Sequence, residues 1–235
     1  LTNGSAEWPD WSGETAVIVG TGPSAAKIEP GSFRSIVIKS SWRLLPTADV
    51  LYALDVGWWL ANQGAPKFKG MKVSPSPTAC RVYKLRKVSL KPRAEILTGE
   101  IGVLGCGLRT GGGFSGFQAI NLAIQFGAKK IVLVGFDMNG GHWSPDQRGV
   151  GKPDAARTAS WRVALDACAP QFKSLGVEVI NTGEHSALTA YPKMSLAEAL
   201  GVRHGGSSQG HAVQPEFQIR GTEDLYERSA DAIIR

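Results

Sequence analysis

The chain has 235 residues, 43% of them hydrophobic, enough for one large domain or for one domain with a tail. It holds no uninterrupted apolar run of membrane-spanning length. Its polar opening residues, with Trp8, Pro9, Asp10 and Trp11, do not read as a secretory signal. Cys80, Cys106 and Cys168 are odd in number and lack any Cys-x-x-Cys spacing, so neither a disulfide framework nor a zinc site is indicated and a reducing cytoplasm is expected. The net charge of +6 is local: nine Lys and Arg residues lie between Lys67 and Arg93 with no Asp or Glu, leaving the rest of the chain at −3.

In chain order, residues 1–14 read as an N-terminal arm. Ala16–Val19 is a short apolar run, expected as a buried strand, and it ends in Gly20-Thr21-Gly22-Pro23-Ser24. Pro23 suits the first turn of a helix. Ser35–Lys39 and Val50–Leu54 are further strand candidates, bounded by Pro30-Gly31 and Pro46, with Asp55 closing the second. Val56–Ala61, carrying Trp58 and Trp59, begins a short helix. Met71–Val73 and Glu95–Leu97 are expected as additional strands. Pro75, Pro77 and Pro92 make the stretch between them loop-rich, so 67–93 reads as a basic insertion or lid. That stretch is either a solvated face or a surface for an anionic acceptor, DNA included.

A second glycine loop, Thr110 to Gly116, opens a largely apolar helix from Gly116 to Phe126 that Gly127 stops. Ile131–Val134 is continuously aliphatic, as a central parallel strand is, and leads to Gly135-Phe136-Asp137. A helical pattern broken by Pro170 runs from Asp154 to Leu175, and Val177–Ile180 gives another buried strand. Ser195 and Glu198 form a capping-box pair that predicts a helix from Leu196 to Leu200. The expected architecture is α/β: a mostly parallel sheet flanked by helices over residues 15–202, followed by a Gly/Ser-rich linker at 203–221 and an amphipathic helix at 222–235. A helix of that kind needs a partner surface, so self-association through it is an expectation.

Strand, glycine loop and helix, used twice, can aim backbone N–H groups at phosphate oxygens, which points to nucleotide handling by Gly20, Gly22, Gly113, Ser115 and Gly116. The third glycine and downstream acid of a dinucleotide fingerprint are missing, as is the lysine of a P-loop, which discounts NAD and P-loop ATPase chemistry. Asp137 and His142 lie on a glycine-rich loop beyond a strand end. A histidine there titrates near neutrality and suits a general base or acid; the plainer alternative is a turn residue stacked on Trp143. Asp137 has a plain alternative too, capping loop backbone. With Asp146 these two would make only a loose metal set. His185 is a weaker base candidate, and His204 and His211 belong to the tail.

The chain resembles the bacterial sialyltransferases of glycosyltransferase family 42 and a related Rossmann-like family containing archaeal hydroxymethylpterin pyrophosphokinases, with phage-encoded relatives. The resemblance rests on Val19 to Ser24, Ser115-Gly116, Ile131 to Asp137, Val179 to Asn181 with Ser186 to Leu188, and Ser195 to Leu200, in that order. It spans roughly Thr15 to Gly201. It implies a Rossmann-like fold and a nucleotide-sugar donor whose phosphate or ribose meets Thr21 and Gly22, with Ser40 or Ser41 near the ribose or sugar and Ser115 and Gly116 lining the nucleotide; Gly20, Pro23, Ser24, Asp55 and Gly113 complete the expected nucleotide-binding set. It also implies His142 as the counterpart of the catalytic base; Asp137, on the same loop, is the second catalytic candidate, and direct displacement would invert the sugar carbon. Thr21 stands where that family has Asn, and its tyrosine pair has no counterpart here. Mg²⁺ is not required by this reading; were it used, Asp137 would be its first ligand. The alternatives are an ATP- and Mg²⁺-dependent pyrophosphokinase-like transferase and a non-catalytic phage protein that binds polyanions. If phage-encoded, the expected location is the host cytoplasm.

Overall fold

A computed structural model describes residues 7–109, 113–146, 148–151 and 153–201. The expected linker and terminal helix, with His204 and His211, lie outside the described residues. The elements are β1 (Thr15–Val19), β2 (Arg34–Ile38), β3 (Val50–Tyr52), α1 (Val56–Ala61), β4 (Met71–Ser74), α2 (Pro77–Tyr83), β5 (Arg86–Lys87) and β6 (Ser89–Lys91). They continue with β7 (Val103–Gly105), α3 (Ser115–Gln125), β8 (Lys130–Val134), α4 (Ala155–Asp166), α5 (Ala169–Ser174), β9 (Glu178–Asn181) and α6 (Leu196–Ala199).

Seven strands form one sheet in the order β5-β4-β3-β2-β1-β8-β9, every pair parallel. The period-two alternation of β1 sends Ala16 and Ile18 into one apolar cluster and Val17 and Val19 into the other. Both faces are therefore covered, which is why the central strands read as unbroken aliphatic runs. On one face Phe117, Ile120 and Leu122 of α3 pack with Ile36, Ile131 and Leu133; on the other, Trp58 and Trp59 of α1 pack with Val37, Leu51 and Val132. The described part of the N-terminal arm joins the first cluster: Trp11 is 1% exposed and meets Phe126 edge-on at 4.8 Å.

Residues 67–93, expected as a loop-rich insertion, also supply two edge strands and a helix. Pro77 occupies the first turn of α2 and Ser76 caps it, its hydroxyl accepting from Ala79 N–H at 3.2 Å. The chain then pairs first with β4 and next with β7, as Val88 N–H donates to Ser74 O and Ser89 N–H to Gly102 O. Glu95–Leu97, expected as a strand, is not one. Two side-chain amides take the place of a neighbouring strand: Gln171 pairs with both backbone groups of Ile96 at 2.8 Å, and Asn121 with both of Leu97 at 3.0 and 2.7 Å. Among the described residues no helix is long and apolar enough to cross a membrane.

Candidate functional site

All strands of the main sheet point their carboxyl ends to one edge. Strand order reverses at β1, which has β2 on one side and β8 on the other, and a crevice at such a switch is where open α/β sheets hold ligands. A cleft of about 720 Å³ lies there, lined by the loops after β1, β2, β3 and β8, by the start of α3 and by one face of α4. Its volume suits a molecule of nucleotide size. Of the expected nucleotide-binding residues, Gly20, Thr21, Gly22, Asp55, Gly113, Ser115 and Gly116 line it, as do Asp137 and His142.

The first glycine loop is welded to the end of β8. Gly20 N–H donates to Val134 O at 2.7 Å, Gly22 N–H to Gly135 O at 2.9 Å, and Ser24 N–H and Oγ–H to Asp137 Oδ2 at 3.1 and 3.0 Å. A Cβ on Gly20 would sit 2.5 Å from Gly135 O. One on Gly22 would sit 2.7 Å from the same oxygen and closer still to Asp137 Oδ2. These glycines are thus required by backbone packing, and three of the loop's N–H groups are spent inside the protein. Pro23 and Ser24 lie outside the cleft lining, and Asp137, 7% exposed, fixes the loop from below.

Thr21 is the member of this loop that meets the histidine. Thr21 Oγ1 lies 3.0 Å and its carbonyl oxygen 3.3 Å from His142 Nδ1, and the same carbonyl accepts from Trp143 N–H at 3.0 Å. Trp143 Nε1–H donates to Ser41 Oγ, whose own hydroxyl donates to Gly20 O at 2.6 Å. Ser41 is therefore a strut between the two loops, and Ser40 accepts from the buried Trp58 indole at 3.3 Å. Both serines, expected near a ribose or sugar, are buried, and neither lines the cleft.

The loop from 138 to 153 is pinned further along. Asp146 pairs with Arg43 at 3.4 Å and with Arg148 at 3.0 Å, and the backbones of Gly57 and Gly149 touch with no room for a Cβ on either. Burial raises the Asp146 pKa, but the charge and hydrogen bonds of Arg148 and Arg43 outweigh it and hold the carboxyl below its ordinary value. Asp137 and Asp146 thus serve Ser24 and the arginines respectively. Among the described residues no three His, Cys, Asp or Glu side chains are grouped to hold a metal ion. His185 is exposed, and its carbonyl accepts from Asn139 Nδ2 at 3.0 Å; it lies outside the cleft lining.

The second glycine loop behaves differently. Gly113 to Gly116 bring the first turn of α3 to the cleft, where backbone N–H groups lack intrahelical acceptors and the helix dipole favours negative charge. Ser115 Oγ accepts from Leu54 N–H at 3.2 Å and so ties this helix to the end of β3. Opposite, Lys39 has a left-handed backbone with φ of +49° and pairs with Asp55 at 2.7 Å. Lys39, Met138, Arg157, Thr158 and Trp161 line the cleft although sequence reasoning did not single them out. Lys39 was findable, standing directly after β2; the three on α4 sit in a helix of mixed composition whose pattern did not show which face meets the cleft.

A shallower groove of about 580 Å³ shares Leu54 with the cleft and carries Lys87, Lys91, Ser76 and Ser89. The basic stretch is divided in its duties: Arg86 stacks 4.1 Å over the Trp8 ring, and Lys72 Nζ donates to Gly64 O. Burial, and secondarily Lys69, lowers the Lys72 pKa.

No family model matches this chain, and no curated protein resembles it in sequence. Among solved structures, the MAf glycosyltransferase from Magnetospirillum magneticum AMB-1 matches with a TM-score of 0.56 at 14% identity, over 83% of this chain and 35% of that one. The chain therefore spans about a third of that protein's length. The sialyltransferase CstII from Campylobacter jejuni, solved in complex with a substrate analogue, cytidine-5'-monophosphate, matches with a TM-score of 0.47 at 12% identity, over 80% of this chain and 87% of that one. The likeness to the first agrees with the parallel seven-stranded sheet, and the fold is α/β and Rossmann-like.

Proposed function

We propose that this chain is a nucleotide-dependent transferase, a sialyltransferase-like glycosyltransferase that takes a nucleotide-sugar donor into the cleft at the β1/β8 switch. The observation that carries the reading is the contact of His142 with Thr21 in the same cleft as the first turn of α3. One is a proton acceptor held by a fixed loop, and the other is a place for the donor's phosphate. In the tautomer whose Nδ1–H donates to the Thr21 oxygens, the lone pair is on Nε2. His142 then removes a proton from the acceptor hydroxyl as the glycosidic bond to the nucleotide breaks, and direct displacement inverts the sugar carbon. Asp137 acts through Ser24, as a positioning residue for the loop that holds His142. The groove with Lys87 and Lys91, which shares Leu54 with the cleft, suits an acceptor that carries negative charge.

The test is transfer from CMP-, UDP-, GDP- and ADP-sugars, with donor binding followed by calorimetry. His142→Ala is expected to lower transfer by about a hundredfold or more while donor binding persists. Undiminished transfer by that variant, or a wild-type chain that binds none of these donors, overturns the reading.

A further inference from the structure

The α4 wall of the cleft has a chemistry that the reading above leaves unused. Arg157 and Thr158, neighbours in sequence, each lie one turn before Trp161 on α4, and all three line the cleft. The Trp161 ring stacks on Phe114, with centroids 5.3 Å apart and planes inclined by 24°, and Phe114 is in turn braced edge-on by Phe117 at 5.9 Å. Trp161 is half-buried, and its Nε1–H is shielded from water with no hydrogen-bond partner among the described residues. Arg157 is exposed and makes no ion pair among the described residues. A braced flat ring at the cleft wall and a cation one turn away match a planar heteroaromatic group joined to an anion.

We propose that Trp161, backed by Phe114, is the platform on which the donor's nucleobase stacks, with Arg157 reaching the phosphate attached to it. This rests on the nucleotide reading of the cleft. Phe114 has the positioning part: it immediately precedes α3, so the platform and the phosphate-facing helix turn are set by one stretch of backbone. An aromatic face accepts any base, so the platform supplies affinity for nucleotides in general rather than choice among them.

The experiment is calorimetric binding of CMP, UDP, GDP, ADP and inorganic pyrophosphate to the full chain and to Trp161→Leu, Trp161→Phe and Arg157→Ala variants. Trp161→Leu is expected to weaken nucleotide binding at least about fivefold and to leave pyrophosphate binding unchanged. Arg157→Ala is expected to weaken both ligands. Trp161→Phe is expected to keep nucleotide affinity but to lose the indole fluorescence quenching that nucleotides cause in the wild type, a readout that stands even if Trp161→Leu fails to fold. Equal nucleotide affinity in the wild type and Trp161→Leu, or quenching that persists in Trp161→Phe, overturns the platform while leaving the nucleotide reading intact. If no nucleotide binds the wild type, both fall.

Discussion

The two glycine loops share a signature in sequence and differ in cause. At 20–24 the glycines allow two backbones to touch: the loop after β1 lies on the loop after β8, and its N–H groups are taken by Val134, Gly135 and Asp137. At 113–116 Gly113 is likewise held against backbone, with no room for a Cβ beside the Cys106 carbonyl, but Gly116 faces only the rings of Phe136 and Phe114, at a helix start that reaches the cleft with the dipole of α3 behind it. Glycine after a strand therefore marks close approach, and only the packing shows whether the approaching group is protein or ligand. In this fold the first loop holds the His142 ring through Thr21, and the second brings the first turn of α3 to the cleft.

The difference is open to direct test. Gly22→Ala forces a methyl group against the Gly135 carbonyl and the Asp137 carboxylate, and is expected to cost about 3 kcal/mol in chemical denaturation. Combining it with Asp137→Ala removes one of the two obstructions, so the double variant is expected to be about 1 kcal/mol more stable than the sum of the single losses. Strict additivity would show that the carboxylate does not confine this glycine. Gly116→Ala is expected to be milder, at about 1 kcal/mol or less. Its nearest obstacles are the rings of Phe136 and Phe114, which can shift, and alanine favours the helix. A loss as large as that of Gly22→Ala would mean that both loops are packing devices.

The smallest effect concerns the strap that joins the two sides. The Asp146 pKa is depressed in the folded protein, so its contribution is present above the ordinary value of 3.8 and is lost as pH falls through the folded value. Arg43→Ala is accordingly expected to cost a few tenths of a kcal/mol at pH 7 and less at low pH, where the Arg43 hydrogen bond to Asn62 remains. An equal cost at both pH values would show that Arg43 acts by packing rather than by charge.

Much of the fold was legible because it is written in local pattern. The aliphatic runs of β1, β8 and β9, the capping box before α6 and the break at Pro170 between α4 and α5 each depend on a few adjacent residues. The start of α2 was legible in principle, since Ser76-Pro77 is a cap followed by a first-turn proline, but three prolines nearby outweighed it. The backbone pairing of Ile96 and Leu97 was not, because its partners Gln171 and Asn121 are 75 and 24 residues away. The same distance in sequence hid the true roles of Ser40 and Ser41 and the presence of Arg157 and Trp161 in the cleft.

By itself the sequence determined a parallel α/β sheet, two glycine loops at strand ends and a histidine beyond the strand that ends near Asp137, because hydrophobic period and turn chemistry act over a few residues. Only the tertiary structure decided what those loops touch. Gly22 and Asp137 are 115 residues apart, and a contact that fills the space of one Cβ exists only once β1 and β8 lie side by side.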